Sequence, residues 1–312
     1  MKYCIGIDIG GTKTECTVFS TTLDHTDLTP VHSKRFLTIK DSSYGVYLDQ
    51  LHLELRPMLE KYPAMAVGVG VPGSLDYLRE RMIAGGTKIL INQPLRLDLA
   101  TLLKLPVTLE NDANCFALAE AYLGVGKKHA IEKNREPREF SSLGLILGTG
   151  LGGGLLLQGQ LWRGSFNAAA EIGHSFLEQS LRDCYCKQNG CAELFLSGTG
   201  FEDQYEQING ARISAVKILK QAEAGDDIAQ QAITQYRNRL AHFLANLNNI
   251  LDLDYYVFGG GLSLAKPLLS GIEELVYPKL FSPASRPLFY GHSLGDSAGV
   301  YGAALCALQK TS

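Results

Sequence analysis

Three cysteines, Cys184, Cys186 and Cys191, crowd into eight positions in the spacing C-x-C-x4-C, and His174 lies ten residues upstream. Three thiolates and one imidazole form a Cys3His set suited to tetrahedral zinc. With no open coordination position, such a site is structural rather than catalytic. Three separate surface thiols are a poor alternative at so tight a spacing. A redox pair is poorer still, because C-x-C is not C-x-x-C. If His174 ligates, Glu171 in Glu171-Ile172-Gly173-His174 is held beside the metal. The remaining cysteines, Cys4, Cys16, Cys115 and Cys306, sit singly among apolar residues and read as small buried hydrophobes.

Glycine-rich turns supply the second kind of chemistry. Backbone N–H groups in such turns can approach an anion without obstruction by Cβ. Gly10-Gly11-Thr12 and Gly148-Thr149-Gly150 each add a hydroxyl able to donate to a phosphate oxygen, and Gly259-Gly260-Gly261 is a third cluster. Asp8 precedes the first turn and can hold a hydrated magnesium ion, while Lys13 can neutralise phosphate charge. Gly148, Gly150 and Gly153 also fit G-x-G-x-x-G, but a dinucleotide fingerprint must open a helix, and here Leu155-Leu156-Leu157 follows as a strand. Gly6 to Lys13 nearly spells a P-loop, yet Thr12-Lys13 stands in the wrong order.

The third group is Glu110-Asn111-Asp112-Ala113-Asn114, where a strand meets a helix. Ligands bind at such junctions in open α/β folds. Asp112 can accept the proton of a substrate hydroxyl during phosphoryl transfer. It can equally be a helix N-cap, and from spacing alone the two readings stand level.

The elements that must carry these groups are legible. Tyr3 to Asp8 and Thr14 to Phe19 read as strands around the first glycine turn, and Leu143 to Leu157 repeats that theme about 140 residues later. Each hairpin can open one half of a duplicated α/β fold. Helical spacing marks Leu48–Tyr62, Asn111–Leu123, most of Ile213–Leu251, and Gly299–Leu308. Ala66–Val71, Val107–Leu109 and Tyr255–Phe258 read as buried strands, the first ending in the turn Pro72-Gly73. Lys127–Phe140 is polar and holds Pro137, so it reads as an exposed loop or disordered insert.

At 312 residues the chain has room for about two domains. A formal net charge of −3 excludes a general nucleic-acid coat or a basic membrane-surface helix. No apolar run reaches the ~18 residues of a membrane span, and polarity at Asp8 comes too early for a signal peptide. These features point to a cytoplasmic protein.

Taken together, these residues resemble the ROK family (repressors, open reading frames and sugar kinases), over essentially the whole chain. Asp8-Ile9-Gly10-Gly11-Thr12-Lys13 and Leu147 to Gly154 look like its two phosphate motifs, and Glu110 to Asn114 looks like its catalytic segment. Glu171-Ile172-Gly173-His174 matches its E-x-G-H, Cys184 to Glu193 its zinc and sugar segment, and Gly259-Gly260-Gly261 its adenosine-side glycines.

The resemblance implies an α/β, two-domain, actin-like (hexokinase-type, ribonuclease H-like) ATPase fold closing on a cleft. The smaller domain would be 1–112 plus 295–312, and the larger 113–294, carrying the zinc loop. It implies ATP with magnesium, structural zinc and a homodimer. ATP would lie against Asp8, Gly10, Gly11, Thr12, Lys13, Gly148, Thr149, Gly150 and Gly259–Gly261. Sugar would lie against Gly73, Asn111, Glu171, His174 and Glu193, with Asp112 deprotonating its 6-hydroxyl. Lys187 replaces the family's usual glycine, so the turn there is expected to bend differently. Ala84-Gly85-Gly86-Thr87 lacks an asparagine that relatives often carry near the sugar.

Lys13-Thr14-Glu15, Cys184-Tyr185-Cys186 and Ser197-Gly198-Thr199-Gly200-Phe201 look like bacterial fructokinases of the mannokinase type. Pro94 to Leu99 and the Leu145–Leu157 hairpin look more like bacterial N-acetylglucosamine kinases. The expectation is therefore a kinase of fructose or a related neutral hexose (mannose, glucose), with N-acetylglucosamine as the alternative. A repressor of the family would carry a helix-turn-helix before Asp8, for which there is no room. A non-catalytic sugar sensor is disfavoured by the intact Asp112 and both phosphate turns.

Overall fold

The computed structural model describes residues 2–22, 27–39, 41–76, 79, 81–84 and 87–311. The chain divides into two compact units, one of residues 1–137, 161–169 and 293–312 and one of 138–160 and 170–292.

The first unit is built on strands β1 (Lys2–Ile9), β2 (Lys13–Thr21), β3 (Leu28–Leu37), β4 (Ala64–Val71) and a later strand, Val107–Asn111. They lie in the order β3-β2-β1-β4 followed by Val107–Asn111. β1, β2 and β3 pair antiparallel, and β1, β4 and Val107–Asn111 pair parallel. Helix α1 (Tyr44–Lys61) buries Tyr47, Leu51, Leu55 and Met58. These pack with Ile5, Ile7, Ile9, Val67, Val69 and Val71 in one apolar cluster.

The opposite face carries Cys4, Gly6 and Asp8 on β1 and Ala66, Gly68 and Gly70 on β4, with glycine at its centre. A Cβ at Gly6 would lie 2.0 Å from the carbonyl oxygen of Val300, and one at Gly68 would lie 1.7 Å from that of Ala303. Period-2 alternation of branched residues with glycine thus produces one thick face and one bare face. The bare face admits the backbone of the C-terminal helix, Ala298–Thr311, at a distance no side chain would allow.

Between β4 and Val107–Asn111 come the short hairpin β5 (Ser74–Asp76) and β6 (Arg81–Ala84), then α2 (Leu95–Leu103); we number Val107–Asn111 β7. The stretch Gly85-Gly86 lies outside the described residues. After β7 run α3 (Asp112–Tyr122) and α4 (Val125–Lys133). α4 corrects the reading of 127–140 as a loop or disordered insert. The Glu120 carboxylate accepts the N–H of Val125 at 3.1 Å, starting the helix, and His129 and Ala130 are buried. Its polar residues are the solvated side of a packed helix rather than a sign of disorder. Gly302 of the C-terminal helix abuts α3, with a Cβ there 1.9 Å from Cys115 O. Because α3 packs on that helix, the first unit continues past the boundary expected at residue 112.

The second unit repeats the pattern with β8 (Ser142–Leu147), β9 (Leu151–Leu157) and β10 (Gln160–Leu161), followed by α5 (Glu193–Leu196), α6 (Gly198–Asn209), α7 (Ala215–Glu223), α8 (Asp227–Leu251) and β11 (Tyr255–Gly259). Its sheet runs β10-β9-β8-β11 and ends on a last strand, Leu288–Gly291. Again a hairpin is antiparallel and the following strands are parallel. α8 buries Tyr236, Leu240, Phe243 and Leu244 against a core that includes Leu143, Leu145 and Phe258. No helix among the described residues is long and apolar enough to cross a membrane.

Gly68→Ala is expected to destabilise the protein by about 3 kcal/mol, because helix backbone must move. Gly45→Ala, where a Cβ meets nothing within 4 Å, should be near neutral. Urea unfolding followed by circular dichroism measures both, and equal midpoints would show that the helix yields freely.

Candidate active-site residues

In the first unit the β1–β2 turn closes with Gly10 N–H donating to Lys13 O at 2.9 Å. The Thr38 hydroxyl donates to Gly10 O at 2.9 Å, and Thr38 N–H donates to Thr12 O at 3.0 Å. Gly11, Thr12 and Lys13 are exposed. Asp8, two residues earlier, is held against Gly299, where a Cβ would lie 2.6 Å from its Oδ2. Burial, with Asp112 and Glu15 nearby, pushes the Asp8 carboxyl up to about 7, against the pull of Lys13 and Arg35.

At the β7–α3 junction the cap is Asn111. Its Oδ1 accepts the N–H groups of Ala113 at 2.9 Å and Asn114 at 3.1 Å, and its Nδ2 donates to Gly73 O at 3.1 Å. Asp112 is the first residue of the helix, with Oδ1 accepting from Ala113 N at 2.8 Å. Asn111 therefore takes the capping role that spacing alone left open between capping and catalysis for Asp112. Gly73, Asn111, Asp112 and Asp8 thus come together in the first unit.

In the second unit the β8–β9 turn closes with Gly148 N–H donating to Gly150 O at 3.0 Å. Gly198 N–H and the Thr199 hydroxyl bond the Gly148 and Thr149 carbonyls at 2.7 and 3.0 Å. Gly260 has φ +80, and a Cβ there would lie 2.6 Å from Leu147 O, so the third glycine cluster packs onto the second glycine turn. Glu193 Oε2 accepts Leu151 N–H at 3.0 Å, and a Cβ on Gly150 would lie 2.7 Å from it. The carboxylate expected at a sugar thus also braces this turn.

Glu171 precedes a 3-10 turn, Ile172–His174, that carries the imidazole. Ligand atoms of His174, Cys184, Cys186 and Cys191 all lie within 4.8 Å of one another. Cys184 Sγ to His174 Nδ1 and Cys186 Sγ to Cys191 Sγ are both 3.6 Å. Tetrahedral zinc with ~2.3 Å Zn–S bonds needs ligand atoms about 3.8 Å apart, so the donor set fits. The other imidazole nitrogen, Nε2, meets Tyr185 Oη at 2.8 Å. Lys187 follows the C-x-C at φ +70, the left-handed conformation that suits the glycine it replaces, so the turn keeps that bend. A cavity of about 340 Å³ opens here, lined by Thr149, Gly150, Arg182, Cys184, Tyr185 and Glu193 among others.

Sequence reading did not single out Arg163, Tyr185 as a partner of His174, or the bracing by Thr38 and Thr199. Tyr185 stood between two cysteines, which was a usable signal. Arg163 carried none, because its partner Glu110 is 53 residues away.

A family model described as the ROK family matches residues 4–310. The chain is 34% identical to the N-acetyl-D-glucosamine kinase of Pasteurella multocida (strain Pm70), covering 99% of this chain and all of that one. It is 33% identical to an N-acetylgalactosamine kinase of Shewanella sp. (strain ANA-3), over 96% of this chain and 95% of the other. Among solved structures, the ROK hexokinase from Thermus thermophilus superposes with a TM-score of 0.84 at 28% identity, covering 99% of both chains.

Lys187→Gly removes a left-handed non-glycine residue from the thiol loop. It is expected to stabilise the protein by about 1 kcal/mol, or about 2–4 °C in melting temperature. Thermal melting measures this, and no rise would mean that Lys187 carries no strain.

Proposed function

The chain belongs to the ROK family and is an ATP-dependent sugar kinase, and we propose that its acceptor is an N-acetylated hexosamine, N-acetylglucosamine foremost, phosphorylated on the 6-hydroxyl. This reverses the expected preference for fructose or a neutral hexose. The observation that carries it is whole-chain likeness to N-acetylhexosamine kinases at 33–34% identity. The stretches that favoured fructose are three short ones, Lys13–Glu15, Cys184–Cys186 and Ser197–Phe201, and the hexokinase structure is more distant at 28%.

In this reading Asp112 accepts the proton of the 6-hydroxyl as that oxygen attacks the γ-phosphate in line. Asn111 supplies the cap, accepting two N–H groups of the first turn. The turns at Gly10–Lys13 and Gly148–Gly150 offer amides and hydroxyls to the phosphates, and Gly259–Gly261 takes the adenosine side. Magnesium arriving with ATP suits Asp8, whose buried carboxyl otherwise holds its proton up to about 7. Asn111, Gly73, Glu171, His174 and Glu193 serve sugar hydroxyls.

Zinc fits His174 Nδ1 and the three thiolates, and its chemistry is structural: it holds the loop. The imidazole then presents Nε2–H, which donates to Tyr185 Oη and fixes the ring. Burial, with Glu193 and Glu171 nearby, pushes the Tyr185 hydroxyl up to about 12, so it stays neutral at physiological pH. Glu193 begins the helix two residues after Cys191 and ties this loop to the phosphate turn.

Coupled assay of ATP-dependent phosphorylation tests the acceptor, across N-acetylglucosamine, N-acetylgalactosamine, N-acetylmannosamine, glucose, mannose and fructose. One N-acetylated sugar should exceed every neutral hexose by about ten-fold or more in kcat/KM, as a site that pairs an amide discriminates against its absence. Fructose or mannose in front would restore the neutral-hexose reading. Elemental analysis should find about one zinc per chain, and Cys191→Ser should abolish it and lower the melting temperature. A stable wild-type protein without zinc refutes the metal assignment.

A further inference from the structure

Residues 161–169 form a strap that belongs to the first unit, although the chain on either side belongs to the second. Ala169 N–H closes it by donating to Arg163 O at 3.1 Å, with Gly164 at φ +73 and Asn167 at φ +57. Asn167 Nδ2 donates to Leu75 O at 3.4 Å. Its strongest tie is Arg163, whose Nε donates to Glu110 Oε2 at 2.6 Å.

Glu110 is 1% exposed at its side chain, a buried carboxylate one residue before the cap of α3. Its other oxygen, Oε1, accepts Asn111 N–H at 3.0 Å and Asn114 Nδ2 at 2.9 Å. One oxygen thus holds the strap and the other holds the start of the catalytic helix. We propose that Arg163 is a positioning residue for phosphoryl transfer: by pairing with Glu110 it keeps the β7–α3 junction, and with it Asp112, in place. This rests on the reading of Asp112 as the base.

The physical reason is the cost of an uncompensated buried charge. Without Arg163 the Glu110 carboxylate must take a proton or turn toward water. Either change loosens its bonds to Asn111 and Asn114, the two residues that flank the base-bearing first turn. A displacement of about 1 Å at a reacting group can cost about 100-fold in rate. ATP meets other groups, and Asn111 is only one of several residues that serve the sugar, so the larger share of the loss belongs in kcat.

The test measures kcat, both KM values and melting temperature for Arg163→Met, Arg163→Lys and Asp112→Asn, using whichever sugar the wild type phosphorylates best. Arg163→Met should lower kcat about 10–100-fold with each KM within about three-fold of wild type. Arg163→Lys, which keeps the charge but not the planar fork, should fall between Met and wild type. Wild-type kcat in Arg163→Met, parallel rises in both KM values, or no recovery by lysine overturns the proposal. If Arg163→Met does not fold, Arg163→Lys decides: a reduced kcat at unchanged KM supports the role, and wild-type kcat overturns it. Asp112→Asn should abolish turnover. Turnover retained there defeats the base assignment itself, whereas an inactive Asp112→Asn beside a fully active Arg163→Met defeats only the role of Arg163.

Discussion

Carbonyl oxygens of the C-terminal helix stand where side chains of residues 6 and 68 would otherwise be. Much of the first unit follows from that contact. It sets how closely the helix lies over β1 and β4, and so places Gly299 beside Asp8 and Gly302 against Cys115. Asp8 is thereby enclosed at the end of β1, and α3 is seated against a fixed neighbour. Dispersion and burial are strong here because backbone meets backbone with no intervening Cβ. Asp8 and Asp112 thus stand on packed backbone rather than on a loop that must be ordered on demand.

The two units share a strand arrangement but load it differently. In the first, carboxylates gather near the glycine turn: Asp8, Asp112 and the ion-paired Glu110. In the second, the corresponding turn is fastened from behind by Gly198, Thr199 and Glu193. Glu193 follows closely on Cys191, so the thiol loop and the glycine turn share one carboxylate. The turn between the buried Leu147 and Leu151 is thus restrained by hydrogen bonds with three neighbouring residues.

Patterns with a short period were legible. The strand–glycine–strand hairpins, the amphipathic α1 and the C-x-C-x4-C cluster all lie within a few turns of chain, where local sterics and ligand spacing decide the outcome. Family resemblance supplied the catalytic segment, and the structure then assigned capping to Asn111, a choice between adjacent polar residues that spacing does not make. The misreading of 127–140 has a tertiary cause: Glu120 supplies the start of α4, and its buried His129 and Ala130 are too few to mark an apolar stripe. The division of the chain was hidden for the same reason, because it depends on α3 packing against a helix nearly two hundred residues away. Sugar preference was the hardest to read. Short stretches pointed both ways, and the proposed N-acetylhexosamine preference rests on likeness along the whole chain.

The bare glycine face also has a consequence for biosynthesis. A chain made from its N-terminus releases β1 and β4 early, yet the helix that covers Gly6 and Gly68 spans residues 298–311, made more than two hundred residues later. The second unit is complete by residue 292. During translation, then, the central unit of the sequence can close while the first unit still waits for its cover. β1 and β4 thus reach their final packing only after strands that are made well after them.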